Sequence, residues 1–424
     1  MGEAGGNVFR YPWFLLYKIS GRYASITITA PNVWKESIMN GRPSHQSPVK
    51  TIPARSGAFY FFLWVWMLFL DSGCSWAGDV SKLKLNVPDD IRLTVFADNV
   101  PKARHMAFDD QGILFLSRAR DGKVVALPDD NQDGQADRPV MILEGRDVPH
   151  GLAFVQLDSG YYLYVAEEDR VVRLKRTAKP FSYGKPEVLV TGIPSGGHST
   201  RTIKIKENRF YLSIGSSCNV CIEDSPLRAA VWRYNLDGTH GELFAAGLRN
   251  SVGIEFSPYS GELWGVNNGR DWQGDDHPRE ELNIIRKGKD YGWPRCHENG
   301  IPDPEYGTGF DCSKTEPPAY TFTAHMAPLG LEFYQRGNLP AKYNNSLFIS
   351  FHGSWNRSVP AGYKVVRVIL NDKGEIQSHQ DFITGWLLPD GDKQGRPVDV
   401  QLSPDGDLYL SDDSLGVVYK ITGK

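Results

Sequence analysis

Short runs of alternating apolar and polar residues recur along the chain after about residue 90, separated by glycine, proline, aspartate and asparagine. Alternation with a period of two predicts β-strands, and no long helical period accompanies it. Six stretches share an apolar strand, a turn and a second strand rich in aliphatic residues and tyrosine. They begin at Arg104, His150, Arg201, Val252, Leu329 and Val398. Strand-only units repeated in this way predict an all-β fold, a six-bladed β-propeller.

One strand-like run stands outside the six units. The run "IRLTVFA" begins at Ile91, before the first unit, and has no partner there. We expect it to pair with the C-terminal run "GVVYKI", which begins at Gly416. The N- and C-terminal strands would then close the ring in the last blade and remove an exposed sheet edge.

The N-terminal region has a different character. Residues 57–70, "GAFYFFLWVWMLFL", form the one long apolar run, which is short for a membrane-spanning helix. With Lys50 and Arg55 before it and small residues after it, the run is typical of a signal peptide. We therefore expect residues 1–77 to be an extension with a signal peptide, cleaved after Ala77. Residues 78–424 would form the propeller of a periplasmic or secreted protein, with an uncleaved anchor as the alternative.

Export predicts an oxidising compartment, and residues 78–424 contain four cysteines. Pairing of neighbours predicts the disulfides Cys218–Cys221 and Cys296–Cys312. The run "CNVCI" lacks the histidine of a c-type haem attachment site, whereas a four-cysteine zinc site stays open as an alternative. The net charge of −3 gives no electrostatic footprint for nucleic acid.

Polar residues that could carry chemistry stand at the start of several units. His198, in "SGGHSTRT", precedes the third unit, where a neutral imidazole could act as a general base and a structural histidine is the alternative. Arg249 and Asn250 precede the fourth unit and Arg396 precedes the sixth. Since propeller loops converge on the mouth of the central channel, these cations indicate an anionic ligand with several acidic groups.

Two acidic segments are candidates for cation binding. The first, residues 267–294, contains Glu280 and Glu281 among other carboxylates, and a solvated acidic loop is the alternative. The second is "DDNQDGQAD", whose ligand-type residues stand at positions 1, 3, 5 and 9 of an EF-hand-type loop, although position 12 is Val140. These four residues are Asp129, Asn131, Asp133 and Asp137. A simple turn between strands is the alternative for this segment.

Eight motifs together resemble the soluble quinoprotein sugar dehydrogenases that use pyrroloquinoline quinone (PQQ), in particular the sorbosone dehydrogenase branch. They are "GGHSTRT", "IGSSCNVCIEDSP", "GLRNSVG", "NNGRDWQGDD", "EELN", "DYGWP", "HGSWNRS" and "GRPVDV". The resemblance covers roughly residues 84–422 and implies a six-bladed propeller that holds PQQ and Ca²⁺ at its mouth. It implies oxidation of a sugar, sugar aldehyde or related alcohol by hydride transfer to the quinone, with a quinone or cytochrome as electron acceptor.

The resemblance also implies roles for individual residues. His198 matches the base that takes the hydroxyl proton, and Arg249, Asn250 and Arg396 match contacts to PQQ. Gly269 and Arg270 match positions whose carbonyl groups bind calcium, and Glu280 and Glu281 match a second calcium site of some members. A lysine of the family falls near His352, with Arg357 and Lys364 as candidate substitutes. Arg201 fits a cofactor contact or a tie between blades equally well.

Two other functions are compatible with these residues. A metal-dependent propeller lactonase or hydrolase would hold its ion with side-chain carboxylates in the channel and would not need converging arginines. A non-catalytic propeller that binds proteins or glycans would need no cofactor. No glycine-rich dinucleotide fingerprint follows a strand, which agrees with a cofactor other than a nicotinamide.

Overall fold

A computed structural model describes residues 83–424 of the chain. The apolar run 57–70, the predicted cleavage site after Ala77 and the predicted domain boundary lie outside these residues. No helix in the part from residue 83 onwards is both long and apolar enough to cross a membrane. Three short 3₁₀ turns are present, at Ala119–Asp121, Cys312–Lys314 and Ala341–Tyr343.

The described residues form 27 strands in chain order. The first is β1 (Ile91–Ala97), which belongs to the last blade. Blade 1 contains β2 (Met106–Phe108), β3 (Leu114–Arg118), β4 (Lys123–Leu127) and β5 (Val140–Leu143). Blade 2 contains β6 (Gly151–Leu157), β7 (Gly160–Ala166), β8 (Val171–Lys175) and β9 (Glu187–Val190). Blade 3 contains β10 (Arg201–Lys206), β11 (Arg209–Ile214), β12 (Ala230–Asn235) and β13 (Glu242–Ala246).

The second half of the ring has longer excursions. Blade 4 contains β14 (Ile254–Phe256), β15 (Leu263–Asn267), β16 (Glu280–Ile285) and, after an excursion, β20 (Tyr320–Phe322). The excursion holds β17 (Lys289–Asp290), β18 (Cys296–His297) and β19 (Ile301–Pro302); β17 adds to blade 3, and β18 pairs with β19. Blade 5 contains β21 (Pro328–Tyr334), β22 (Ser346–Phe351), β23 (Lys364–Leu370) and β24 (Ile376–Ile383). Blade 6 contains β25 (Pro397–Leu402), β26 (Leu408–Asp412) and β27 (Val417–Gly423).

The six sheets form a closed ring, as the sequence predicts. The first strands contact one another in the order β2, β6, β10, β14, β21, β25 and back to β2, so they line a central channel. The strand β1 pairs antiparallel with β27, with Ile91 opposite Gly423 and Val95 opposite Tyr419. Both the six-bladed all-β fold and its closure by the N- and C-terminal strands are confirmed.

Adjacent blades pack face to face through separate apolar cores. Phe115 of blade 1 packs with Leu163 of blade 2, and equivalent clusters fill each of the other blade junctions. Second strands are therefore covered on both faces, and every residue of β22 is buried. This explains why the second strand of each unit reads as an almost continuous aliphatic and aromatic run.

All first strands start at the same face of the ring, which we call the mouth. The loops that enter the first strands and those that join second to third strands lie at the mouth. Both predicted disulfides are confirmed there: Cys218–Cys221 closes a short turn between β11 and β12, and Cys296–Cys312 fastens the excursion after β16.

Candidate active site at the mouth

The mouth gathers polar residues that are far apart in the sequence. His198 precedes β10, Asn250 precedes β14 and Arg396 precedes β25, as predicted. Gly215 packs between the first two, because a β-carbon there would lie 2.6 Å from both the Asn250 Oδ1 and the His198 Cβ. The close approach of these side chains thus requires glycine at this position.

His198 has a defined hydrogen-bonding state. Its Nδ1 lies 2.9 Å from the Ser216 Oγ and 3.1 Å from the Ser216 carbonyl oxygen. The Ser216 hydroxyl donates its hydrogen to the Cys218 carbonyl, 2.6 Å away. Since that hydrogen is in use, Nδ1 of His198 must be the donor to Ser216. The proton therefore sits on Nδ1, and Nε2 keeps a free lone pair that can accept a proton.

Burial also keeps this imidazole neutral. It lowers the pKa of His198 to about 3, and the nearby positive charge of Arg249 acts in the same direction, followed by Arg228 and Arg201. The preceding residues Gly196 and Gly197 have φ values of +86° and +62°, in the left-handed region that glycine tolerates best. The neutral imidazole keeps the free Nε2 lone pair that a proton acceptor needs.

Two buried arginines hold the loop that carries His198. Arg201 donates to the carbonyl oxygens of His198 at 2.5 Å, Pro194 at 2.9 Å and Glu168 at 3.0 Å, the last from blade 2. Arg228 donates to the carbonyls of Pro194, Ser195 and Gly196, at 2.5–2.9 Å. The side chain of Arg201 is fully buried, so its contacts favour the tie between blades over direct contact with a cofactor.

Arg249 lies beneath the mouth in a network with Asn219 and Asp271. Its Nε and Nη2 donate to the carbonyl oxygen and Oδ1 of Asn219, at 2.8 and 2.9 Å, and Nη2 lies 3.4 Å from an Asp271 carboxylate oxygen. Its Nη1 donates to the Gly269 carbonyl at 2.8 Å. Asn250 is bound to the same wall, with Nδ2 3.3 Å from the Asn268 Oδ1. Arg249 is therefore oriented entirely by protein acceptors.

A second cluster lies on the blade 5 and blade 6 side of the mouth. Arg396 donates to the carbonyls of His352 and Gly353, at 3.2 and 3.1 Å. The His352 Nε2 lies 2.9 Å from one oxygen of Asp413, whose other oxygen accepts from Arg104 at 2.9 Å. Burial lowers the pKa of His352 to about 4. Burial alone would raise the pKa of Asp413, but its bonds to His352 and Arg104 bring it below the usual range.

Lys364 lies apart from this cluster. It begins β23, and its ammonium group pairs with Asp381 at 2.6 Å. Arg357 instead spans two mouth loops, because its Nη1 donates to the carbonyls of Asp275 and Ala324. Of the three residues that could replace the family's lysine, His352 is thus the one that lies in the cluster around Arg396.

The predicted calcium residues divide into two groups. The carbonyl of Gly269 faces the Arg249 guanidinium, and Arg270 is buried with its Nη1 2.9 Å from Asp303. Glu280 and Glu281 are successive residues of β16 and point to opposite faces of the sheet. Glu280 accepts from the amides of Gly269 and Ala327, whereas Glu281 accepts from Asn267, Asn283 and the amide of Glu298. The structure does not bring these two carboxylates to one ion. Burial raises the pKa of Glu280 to about 7.

The segment with Asp129, Asn131, Asp133 and Asp137 connects β4 and β5, at the face opposite the mouth. Its side-chain oxygens accept from its own backbone amides; the Asp129 carboxylate, for example, binds the amides of Asp133 and Gly134. These contacts favour the turn alternative. Among residues 83–424, the one group of three metal-type ligands close together is Cys218, Cys221 and Glu223, and both cysteines are in the disulfide.

Several residues of the site are absent from the sequence-based prediction. They are Arg104, Ser216, Asn219, Arg228 and Asp413. Alignment of the six units would have placed them at the mouth, since each stands before a first strand or between a second and a third strand. His150 is 1% exposed, and its Nε2 has no hydrogen-bond partner among the described residues. A buried nitrogen of this kind usually faces a water or a ligand.

Comparisons with known proteins agree with this fold. Residues 85–424 match the family model described as TrAA12-like. An uncharacterized protein of Borreliella burgdorferi is 30% identical over 379 residues, 85% of this chain and 97% of that protein. A pyrroloquinoline quinone-dependent sugar dehydrogenase of Hypocrea jecorina is 27% identical over 289 residues, 54% of this chain and 64% of that protein. The holo form of the pyranose dehydrogenase PQQ domain from Coprinopsis cinerea has the same fold, with a TM-score of 0.69 and 22% identity, covering 80% of this chain and 97% of that chain.

Proposed function

Since the chain belongs to the TrAA12-like family, we propose that it is a PQQ- and calcium-dependent dehydrogenase that oxidises a sugar, a sugar aldehyde or a related alcohol. The observation that carries this proposal is the positive field of buried and half-buried arginines at the mouth that have no carboxylate partner within residues 83–424. Arg201, Arg228 and Arg396 form no ion pair with a carboxylate among the described residues. PQQ has three carboxylates, which this field would attract.

The residues present fit such a ligand. Arg396 is half-buried, so its guanidinium can contact a bound carboxylate. Arg201, Arg228 and Arg249 are buried beneath the mouth and would attract the anionic ligand through their positive charge. The unpartnered Nε2 of His150 offers a further polar contact. The oxygens that would hold calcium are the carbonyl of Arg270 and that of Gly269, although the Gly269 carbonyl also accepts a hydrogen bond from Arg249.

The chain's own contribution to the reaction is a proton acceptor. When bound, PQQ would accept the hydride, and calcium would polarise its quinone. His198 would take the hydroxyl proton of the substrate at Nε2, because Nδ1 already carries a hydrogen. The Arg201 and Arg228 contacts to residues 194–198 would fix that nitrogen in position.

Reconstitution tests the proposal directly. The cofactor-free protein is titrated with PQQ and Ca²⁺, and its visible spectrum and dye reduction are recorded with a panel of sugars and aldehydes. We expect a shift of the quinone spectrum and substrate-dependent dye reduction. Arg396→Gln should weaken PQQ binding, and Arg336→Gln, an exposed arginine at the opposite face, should not. Absence of both the spectral shift and the dye reduction would refute the proposal.

The proposed location and electron acceptor follow from the same function. Two disulfides support a periplasmic or secreted enzyme, exported with residues 1–77 as a leader and residues 78–424 as the propeller domain. N-terminal sequencing of the exported protein should then begin at Gly78. A quinone or cytochrome is the proposed acceptor, and reduction of each by the reconstituted enzyme measures which is used.

A further inference from the structure

Two tryptophans stand exposed at the mouth on neighbouring blades. Trp272 lies in the loop between β15 and β16, and Trp355 lies in the loop between β22 and β23. Their side chains are 68% and 63% exposed, and their ring centres lie 5.1 Å apart at an interplanar angle of 83°. Large exposed aromatic residues that face each other in this way are unusual on a folded surface and indicate a binding site.

The two loops are joined by hydrogen bonds, so the backbone that carries the indoles is held in place. The amide of Ser358 donates to the Asp275 carboxylate at 3.0 Å, and Arg357 donates to the Asp275 carbonyl. Trp272 itself has a φ of +70°, a strained conformation for a bulky residue. Strain of this kind persists where the surrounding contacts and the function of a site require it.

The pair is adjacent to both halves of the proposed active site. Trp272 follows Asp271, whose carboxylate lies 3.4 Å from Arg249 and 3.5 Å from the Asn356 amide group. Trp355 precedes Asn356 and stands three residues after His352, whose carbonyl binds Arg396. A ligand held between the Arg249 network and the Arg396 cluster would therefore lie beside the two indoles.

We propose that Trp272 and Trp355 form a carbohydrate platform, which binds a sugar unit next to the one that is oxidised. The enzyme would then act on the end of an oligosaccharide or glycan. An indole surface packs well on the C–H face of a pyranose ring, while the polar groups around it can bind the ring hydroxyls. The polar neighbours are present: Asp271, Gln273, Asp275, Asn356 and Arg357.

The size of this patch favours a sugar over a protein. A stable protein interface buries about 800 Å² on each partner, with an apolar centre. The exposed apolar surface here consists of two indoles and Val359, bordered by charged residues. Two rings at right angles match one or two sugar units.

Binding to the cofactor-free protein tests the platform separately from the redox reaction on which the proposal rests. Calorimetry and tryptophan fluorescence measure the affinity of this protein for glucose, cellotetraose and maltotetraose. We expect at least one tetrasaccharide to bind about tenfold more tightly than glucose. Trp272→Ala and Trp355→Ala should each remove most of that gain, and Leu243→Ala, an exposed apolar residue of β13, should leave it unchanged.

Each result has a defined meaning. Equal affinity for glucose and both tetrasaccharides, or tetrasaccharide affinity that is unchanged in both tryptophan variants, overturns the platform. A tryptophan variant that raises KM for the electron acceptor alone would also overturn it, because the pair would then serve the acceptor. Tryptophan-dependent tetrasaccharide binding without PQQ reconstitution would support the platform while refuting the dehydrogenase proposal.

Discussion

The hydroxyl group of Ser216 decides which nitrogen of His198 carries the proton. Because that hydroxyl donates to the Cys218 carbonyl, the imidazole must donate through Nδ1 and present Nε2 as the base. The residue that orients the base thus lies two residues before the turn closed by the Cys218–Cys221 disulfide.

Replacement of His198 should separate turnover from cofactor binding. For the reconstituted enzyme we expect His198→Ala to lower kcat by about 10²- to 10⁴-fold while the spectrum of bound PQQ is retained. In the cofactor-free protein the pKa of His198 lies at about 3, so the imidazole stays neutral as the pH falls from about 8 to about 5. An NMR titration of the cofactor-free protein should therefore show no protonation of His198 in this range. Loss of the PQQ spectrum together with turnover would instead indicate a structural role.

The residues of the mouth differ in how far the sequence could predict them. His198, Arg249, Asn250 and Arg396 could be placed because each precedes a recognisable first strand. Their contacts could not be predicted, because the sequence does not distinguish a buried arginine that binds carbonyl groups from an arginine that faces a ligand. For Glu280 and Glu281 the resemblance implies a second calcium site, whereas successive residues of a strand point to opposite faces of the sheet.

The turn between β11 and β12 is the element that joins the base to the arginine network. Ser216 binds His198, and Asn219, inside the disulfide, binds both Arg249 and the amide of Asp271. No alternation or repeat marks such a loop, and the sequence singles it out only by its cysteines and the motif that contains them. The strands β17, β18 and β19 could not be predicted either, because each is two residues long.

Removal of the Asn219 side chain should weaken the positioning of Arg249 without unfolding blade 3. Hydrogen bonds to charged groups contribute about 1.5–3 kcal/mol, so Asn219→Ala should weaken PQQ binding by about tenfold or more. Asn235→Ala is the matched control, because Asn235 also binds an arginine, Arg209, at the opposite face of the same blade. Titration with PQQ measures the PQQ affinity of both variants. Equal PQQ affinity in the two variants would show that Asn219 does not position Arg249.

The closed ring is what brings residues of distant sequence to one mouth. His198 and Arg396 are 198 positions apart, yet both enter first strands at the same face. The repeat predicted this convergence, since every unit begins with a strand that lines the channel. The ring in turn depends on β1, the one strand supplied by the other end of the chain.

Replacement of Ile91 tests how much the closure of the ring by β1 contributes to the stability of the molecule. It is fully buried in a core shared by blades 5 and 6, together with Tyr334, Val400 and Ile421. Loss of its side chain should lower the free energy of unfolding by about 2–5 kcal/mol, the usual cost of Ile→Ala in a core. Arg92→Ala, an exposed neighbour on the same strand, should change the free energy of unfolding by about 0.5 kcal/mol at most. Urea unfolding of the cofactor-free protein compares the two. If Ile91→Ala were no more destabilising than Arg92→Ala, β1 would unfold independently of the ring, and closure would not contribute to its cooperative stability.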